Sequence, residues 1–330
     1  MSGFLRHCPC ACVAMYASAI ALVGTPSPVT ADEPYPSRPV ELVVPFAAGG
    51  GTDLIARLLC DGLSKRLGQS FVALNRPGAN TNIGTQAVVR ALPDGHSLVM
   101  ASIGLSANPS LYRKLPFDPI NDLAPISLIA NVPTILVVHP SLPANTVPEL
   151  IAWLKAHPGE LNYASYGVGS SPHLAAELFQ SATGTRVVHV PYGGGVPAAL
   201  GVVNNSVQML VASVLPVLGM VRGGTLKAIA VASDRRLPLL PDVPTFAESG
   251  VDYRTGTWFG LLAPANTPGA IVTTLHKTTT DVLADPAVRD KLTEQGAEVV
   301  GNTPAEFKAF IKNEMERLSV VIRKANISLD

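Results

Sequence analysis

Net charge is the first thing this sequence lacks: 24 Lys and Arg are matched by 24 Asp and Glu, and no basic run stands out. Without a field of one sign, the chain has no electrostatic footprint for nucleic acid or an anionic membrane surface. Cysteine is scarce as well. Of four, Cys8, Cys10 and Cys12 fall within the first dozen residues, which leaves Cys60 alone if that segment is removed. No internal disulfide is then possible, and stability must come from a packed core. Beyond the N-terminal segment no stretch reaches about eighteen uninterrupted apolar residues, so no membrane-spanning helix is expected there.

Catalytic signatures are missing too. A dinucleotide site wants G-x-G-x-x-G after the first strand and an acid at the end of the second. Here the turn reads Ala48-Gly49-Gly50-Gly51-Thr52-Asp53 and the second strand ends in Leu74-Asn75. The nearest approach to a serine nucleophile elbow, Gly104-Leu105-Ser106-Ala107-Asn108, lacks the last glycine, and there is no Walker lysine. His96, His139, His157, His173, His189 and His276 form no H-x-x-x-H pair. Neither a metal nor a cofactor is expected, and an α/β enzyme acting on a carboxylate stands only as the weaker alternative.

What is present begins with an export signal. Arg6 and His7 precede the largely apolar Cys8 to Val23, and Val29-Thr30-Ala31 offers small residues where a signal peptidase inspects them. Cleavage is expected after Ala31, with a soluble periplasmic product; no apolar stretch precedes Cys12, which argues against a lipid anchor. With 47% hydrophobic residues the chain can bury one large core or two medium ones.

Strand-like and helix-like segments then alternate, the pattern of an α/β protein with largely parallel sheets. In the first helix Leu54, Ile55, Leu58, Leu59, Leu63 and Leu67 recur at three- and four-residue spacing as one buried stripe, and Gly68 ends it. The stretch from Asn108 to Asp122 reads as a loop. Ile126 to His139 is a long apolar run broken by Pro133, read as the first crossing between domains. After Pro264 the chain reads as a helical tail without new strands, packing back on the first domain. The expected division is a signal peptide at 1–31, a discontinuous domain from 32–135 and 257–330, and a second domain at 136–256.

The most informative segment is the strand Val40 to Val44 running through Pro45-Phe46-Ala47-Ala48 into Gly49-Gly50-Gly51 and straight into a helix. A helix N-terminus offers unpaired N–H groups and the positive end of the macrodipole, so a carboxylate or phosphate can be held there without a basic side chain. The pattern recurs at Tyr163-Ala164-Ser165-Tyr166-Gly167-Val168-Gly169-Ser170-Ser171 ahead of a helix beginning near His173. Two such mouths suggest two jaws.

Several residues carry two readings at this point. Asp53 either stabilises its own helix start or touches the ligand. A tight turn needs one or two glycines, so the third suggests close approach by something else. Ser165, Ser170 and Ser171 either cap a helix or donate to the ligand, and His173 is either a buried edge histidine or a ligand group. Tyr192 either walls the cleft or simply packs.

These segments, together with Tyr35-Pro36-Ser37-Arg38-Pro39-Val40, Asn75-Arg76-Pro77-Gly78-Ala79, Pro93-Asp94-Gly95, His189-Val190-Pro191-Tyr192, Pro238 to Thr245 and Trp258 to Pro264, resemble the Bug family of extracytoplasmic solute receptors, the TctC-like binding components of tripartite tricarboxylate transporters. The resemblance runs over nearly all of the chain after Ala31. It implies a periplasmic-binding-protein type II-like fold, with two Rossmann-like α/β domains around a central ligand cleft, and a monomer that closes on a small carboxylate: a dicarboxylate, a tricarboxylate or an aromatic acid. It implies no catalysis. The partner is then a set of membrane transporter subunits or, alternatively, a two-component sensor kinase. The candidate ligand-binding residues are Phe46, Ala48, Gly49, Gly50, Gly51, Thr52, Asp53, Asn80, Ser102, Ser165, Gly167, Gly169, Ser170, Ser171, His173, Tyr192 and Ser213. Ser213 stands where relatives frequently have Asp, and losing an acid there weakens recognition of an ammonium. The resemblance therefore points away from amino acids and toward plain or aromatic carboxylates.

Overall fold

The computed structural model describes residues 35–49 and 51–329. Gly50, the signal segment with Cys8, Cys10 and Cys12, and the cleavage site after Ala31 lie outside the described residues.

The chain builds the same unit twice. Strand β1 (Val40–Val44), helix α1 (Gly51–Leu67), β2 (Phe71–Asn75), α2 (Asn82–Val89) and β3 (Ser97–Ala101) form a parallel β2-β1-β3 sheet. After α3 (Ile103–Leu111), β4 (Leu123–Val138) and α4 (Val147–Ala156), strands β5 (Asn162–Ser165), β6 (Val188–Pro191) and β7 (Met209–Ser213), with helices α5 (Ser171–Thr183) and α6 (Gly195–Val203), repeat the pattern as a parallel β6-β5-β7 sheet. Next come α7 (Leu215–Arg222), β8 (Lys227–Val231), β9 (Gly256–Pro264), α8 (Gly269–Ala284), α9 (Pro286–Glu294), β10 (Glu298–Val299) and α10 (Pro304–Lys324).

Strand β4 belongs to both sheets. Its first half pairs antiparallel with β9, which lies beside β3, and its second half pairs antiparallel with β7 and β8. Pro133, which interrupts the apolar run in the sequence, does not interrupt the strand; it sits opposite Gly256 of β9, and the next residue's N–H reaches Thr255. Val132 to Val138 are all buried. The sheets are mixed rather than largely parallel, because every strand added to either parallel trio is antiparallel to its neighbour.

Three local expectations need correction. The Asn108 to Asp122 loop begins later, because α3 extends to Leu111 in spite of Pro109; Leu105, Ala107 and Leu111 are fully buried, and α3 packs on α10, so tertiary burial outweighs the turn-like composition. The C-terminal part does contain a new strand: β10 pairs with Ala130 and Asn131 of β4 and is too short to show periodicity. In α1, Ile55, Ala56, Leu59, Cys60 and Leu63 are buried, each large side chain contributing roughly 1.5–3 kcal/mol, but Leu54 remains 43% exposed.

Candidate functional site

Six strands of the two parallel trios aim their carboxyl ends at helix N-termini, the place where open α/β sheets form crevices. The β1–α1 turn is organised by one acid. Asp53, in the first turn of α1 and only 3% exposed, accepts the Gly49 N–H (2.9 Å) and the Arg57 Nε (3.0 Å) on Oδ2, and the Asn75 amide (2.9 Å) on Oδ1. Asn75 also donates to the Phe46 carbonyl (3.1 Å), tying the end of β2 to the turn. The Arg57 bond, helped by Gly49 and Asn75, holds the Asp53 carboxyl at about 2, so it is ionised at any ordinary pH. Its bonds tie the turn to α1 and to the end of β2. Ala48 and Gly49 are exposed, Gly49 adopts φ +83°, and open space surrounds the position where its Cβ would stand; Thr52 is buried behind them. Glycine is required here by the backbone rather than by crowding.

The β5–α5 turn is organised by neutral groups. Ser165, buried at the end of β5, has its Oγ 2.6 Å from His189 Nε2 and accepts the Gly167 N–H (3.0 Å). The Ser170 hydroxyl donates to the Gly167 carbonyl (2.6 Å), and Gly169 donates its N–H to His173 Nδ1 (3.0 Å). That bond leaves the proton of a neutral His173 on Nε2. His173 and His189 stack face to face, centroids 3.9 Å apart at 11°, and the Tyr163 ring lies 4.9 Å from His189 and 6.3 Å from His173. Tyr163 in turn donates to Glu177 (2.7 Å). Burial, and secondarily His189, pushes the His173 imidazole down to about 4; burial lowers His189 too. His173, 5% exposed, thus stands behind the turn and acts on it through Gly169.

At the second pair of mouths, Ala79, Asn80 and Thr81 all take positive φ (44°, 48° and 78°) just before α2. The conformation is held by Asn108 of α3, whose amide donates to the Asn80 carbonyl and the Asn82 side chain while its carbonyl accepts from the Asn80 amide, all at 2.7 Å. Tyr192 donates its N–H to the Ser165 carbonyl (3.0 Å), and its ring lies on Gly201 of α6. At the third pair, Ser102 precedes α3, 2% exposed and with no hydrogen-bond partner for Oγ within the protein, and Ser213 ends β7, half-buried.

A cavity of about 350 Å³ brings part of this set together: Gly49, Gly51 and Thr52 from the first turn, Ser213 from β7, and Thr257 and Phe259 from β9 line it. The second turn reaches the same place through one contact, Ser171 Oγ to Thr257 Oγ1 at 3.0 Å. Asn80, Ser102, Ser165, Gly167, Gly169, Ser170, His173 and Tyr192 do not line this cavity. Gly169 instead packs toward Leu111 and Leu329, where an added Cβ would stand 3.1–3.2 Å from both side chains. A smaller crevice of about 260 Å³ holds Arg235, Arg236 and Arg289, but neither glycine turn reaches it, and Arg236 is already paired with Glu248. Among the described residues no group of three or more His, Cys, Asp or Glu side chains could hold a metal, and no helix is long and apolar enough to cross a membrane. Cys60 is buried, its thiol pushed up to about 12 chiefly by that burial.

With this geometry in view, comparison with known proteins is decisive: a family model described as tripartite tricarboxylate transporter family receptor matches residues 55–327. The chain belongs to the tripartite tricarboxylate transporter receptor family. The family's receptors are periplasmic solute-binding proteins rather than enzymes. Protein BugT of Bordetella pertussis is 37% identical over 94% of this chain and 96% of its own length. Among solved structures, R. palustris Rpa4515 with adipate is 37% identical, with a TM-score of 0.77 over 89% of this chain and 100% of that one. MatC from Rhodopseudomonas palustris with bound malate is 32% identical, with a TM-score of 0.74 over 87% and 100%. The α/β fold expected from the resemblance, with two domains of sheet and helix, is the fold of this receptor family.

Sequence reasoning missed Thr257, Asn75, Asn108 and His189. None lies in either glycine turn: Asn75, His189 and Thr257 reach one from a different element, and Asn108 holds the turn before α2. Asn108, 1% exposed in the fold, gave no signal, because Ser106, Pro109 and Ser110 around it read as a turn.

Proposed function

We propose that this receptor captures a small carboxylate at the facing β1–α1 and β5–α5 turns and passes it to a tripartite tricarboxylate-type membrane transporter. The observation that carries the reading is a crevice at the first turn: Gly49 and Thr52 line it together with Ser213 of β7 and Thr257, and Thr257 is hydrogen-bonded to Ser171 at the start of α5. Main-chain N–H groups at the start of α1 and α5 supply charge-assisted donors at about 1.5–3 kcal/mol each. Three or four of them approach the roughly −8 kcal/mol of micromolar binding once association costs are subtracted. The adipate on Rpa4515 and the malate on MatC support a carboxylate as the ligand class.

The proposed lobes are residues 32–135 with 257–330, and residues 136–256. The assignment rests on β4 and β9, which run between the two parallel trios. Closure on the ligand shifts a population, so the closed form must bind it more tightly than the open one. Export with cleavage after Ala31 completes the reading, and the intact mass of the periplasmic form tests it.

The deciding experiment is thermal denaturation with a library of carboxylates. Binding at a hundredfold excess over Kd adds about 2.7 kcal/mol of stability, a shift of several degrees in Tm. Absence of a shift with every carboxylate overturns the reading, and turnover of the stabilising acid would make the chain an enzyme. Uptake of the identified acid, lost on deletion of the gene, tests delivery to a transporter against signalling through a kinase.

A further inference from the structure

The cavity at the first turn has a one-sided chemistry. Leu54, Val132, Leu215 and Phe259 give it apolar walls, Thr52, Ser213 and Thr257 contribute hydroxyls and Gln295 an amide, and no lining residue carries a charge. Leu54 is the α1 residue that the helical stripe would bury but the fold leaves 43% exposed, one turn into the helix and beside Thr52. Asp53, between the lining residues Thr52 and Leu54, is buried with its oxygens turned to Gly49, Arg57 and Asn75, so it does not present itself to an ammonium in the cavity. The large apolar side chains left open elsewhere include Val168 in the second turn and Val196 and Ile83 at the first turns of α6 and α2.

A ligand anchored by one carboxylate must therefore place the rest of itself against an uncharged, largely apolar wall. A second charge on the ligand would find no opposite charge there, whereas an apolar body would cover Leu54 and Leu215 and release water from them. At about 350 Å³ the space falls in the range of small-molecule sites. We infer that the receptor selects carboxylates with an uncharged, apolar body, about the bulk of an aromatic ring or a six-carbon chain, over amino acids and over hydroxylated di- and tricarboxylates. The inference rests on the carboxylate reading above and names the ligand class for that site.

Calorimetric titration of the full-length chain with phenylacetate and hexanoate, against glutamate, malate and citrate, tests it. Phenylacetate and hexanoate are expected to bind at least about tenfold more tightly than the other three. Ser213→Asp, which sets a carboxylate into the cavity wall, is expected to weaken phenylacetate at least about tenfold. If that variant does not fold by circular dichroism, Leu215→Asn takes its place, with a loss of about threefold or more expected. Glutamate, malate or citrate binding as tightly as phenylacetate would overturn the apolar-body inference and leave the carboxylate reading intact. Silence from all five acids would also overturn the inference, whereas the carboxylate reading falls only if the whole library leaves Tm unchanged.

Discussion

The two glycine turns do the same backbone task with opposite side-chain chemistry. In the β1–α1 turn a permanently ionised carboxylate, Asp53, gathers Gly49, Arg57 and Asn75. In the β5–α5 turn the corresponding work is done by uncharged hydroxyls and imidazoles: Ser165, Ser170, His173 and His189. Placing charge behind one jaw only has a consequence. The first turn is indifferent to pH over the range in which the second titrates, so acidity should loosen one jaw and leave the other set.

The largest way to break this comparison is to remove the acid. Asp53→Ala leaves the Gly49 N–H and the Asn75 amide without their acceptor and should cost about 2–3 kcal/mol, read as a lower urea midpoint at unchanged m-value. His173→Phe keeps a ring for stacking but removes the acceptor of Gly169, and should cost about 1–2 kcal/mol at pH 7.5.

Acid titration sharpens the contrast. Unfolded His173 takes up a proton near its ordinary 6.5, whereas the folded imidazole resists until about 4. Stability is therefore whole above pH 6.5 and falls as pH drops toward 4, by about 3 kcal/mol, and His173→Phe should flatten that slope. For Asp53 the window is lower: its stabilisation is present above 3.8 and is lost as pH falls toward 2, about 1–2 kcal/mol after allowance for solvent screening. Unfolding midpoints measured from pH 7.5 to 4 separate the two. A slope unchanged by His173→Phe would show that the stacked pair is not the titrating element.

Glycine replacements come next. Gly49→Ala meets open space and suffers only from φ +83°, about 1 kcal/mol. Gly169→Ala adds to φ +73° a methyl against Leu111 and Leu329, so it should be the worse of the two, about 2 kcal/mol. Arg57→Ala should give the smallest shift, because its guanidinium is half-exposed and such pairs contribute little.

Much of this architecture was legible because it is local. The alternation of strand and helix, the α1 boundaries from glycine to Gly68, and both glycine turns all announce themselves within a dozen residues. What escaped notice depends on distant neighbours. Helix α7 is only eight residues long and begins at Leu215-Pro216, so it offers too few turns for a period. Leu54 fits the apolar stripe of α1, and only the fold reveals that it borders a cavity. His189 and Thr257 act from strands outside both glycine turns, one 24 residues and the other 86 residues from the serine it meets.

The pairing of β3 with β9, in which Val99 lies opposite Leu262, also dictates how this protein can be made. A ribosome or a translocon delivers the first trio of strands long before the strand that must lie beside β3, and β4 arrives before either β7 or β8. Half-delivered chain thus presents bare sheet edges, a template for misassembly with its siblings. Such a polypeptide needs shielding until almost its whole length has emerged, and its folding clock starts late because its decisive contacts span so much sequence.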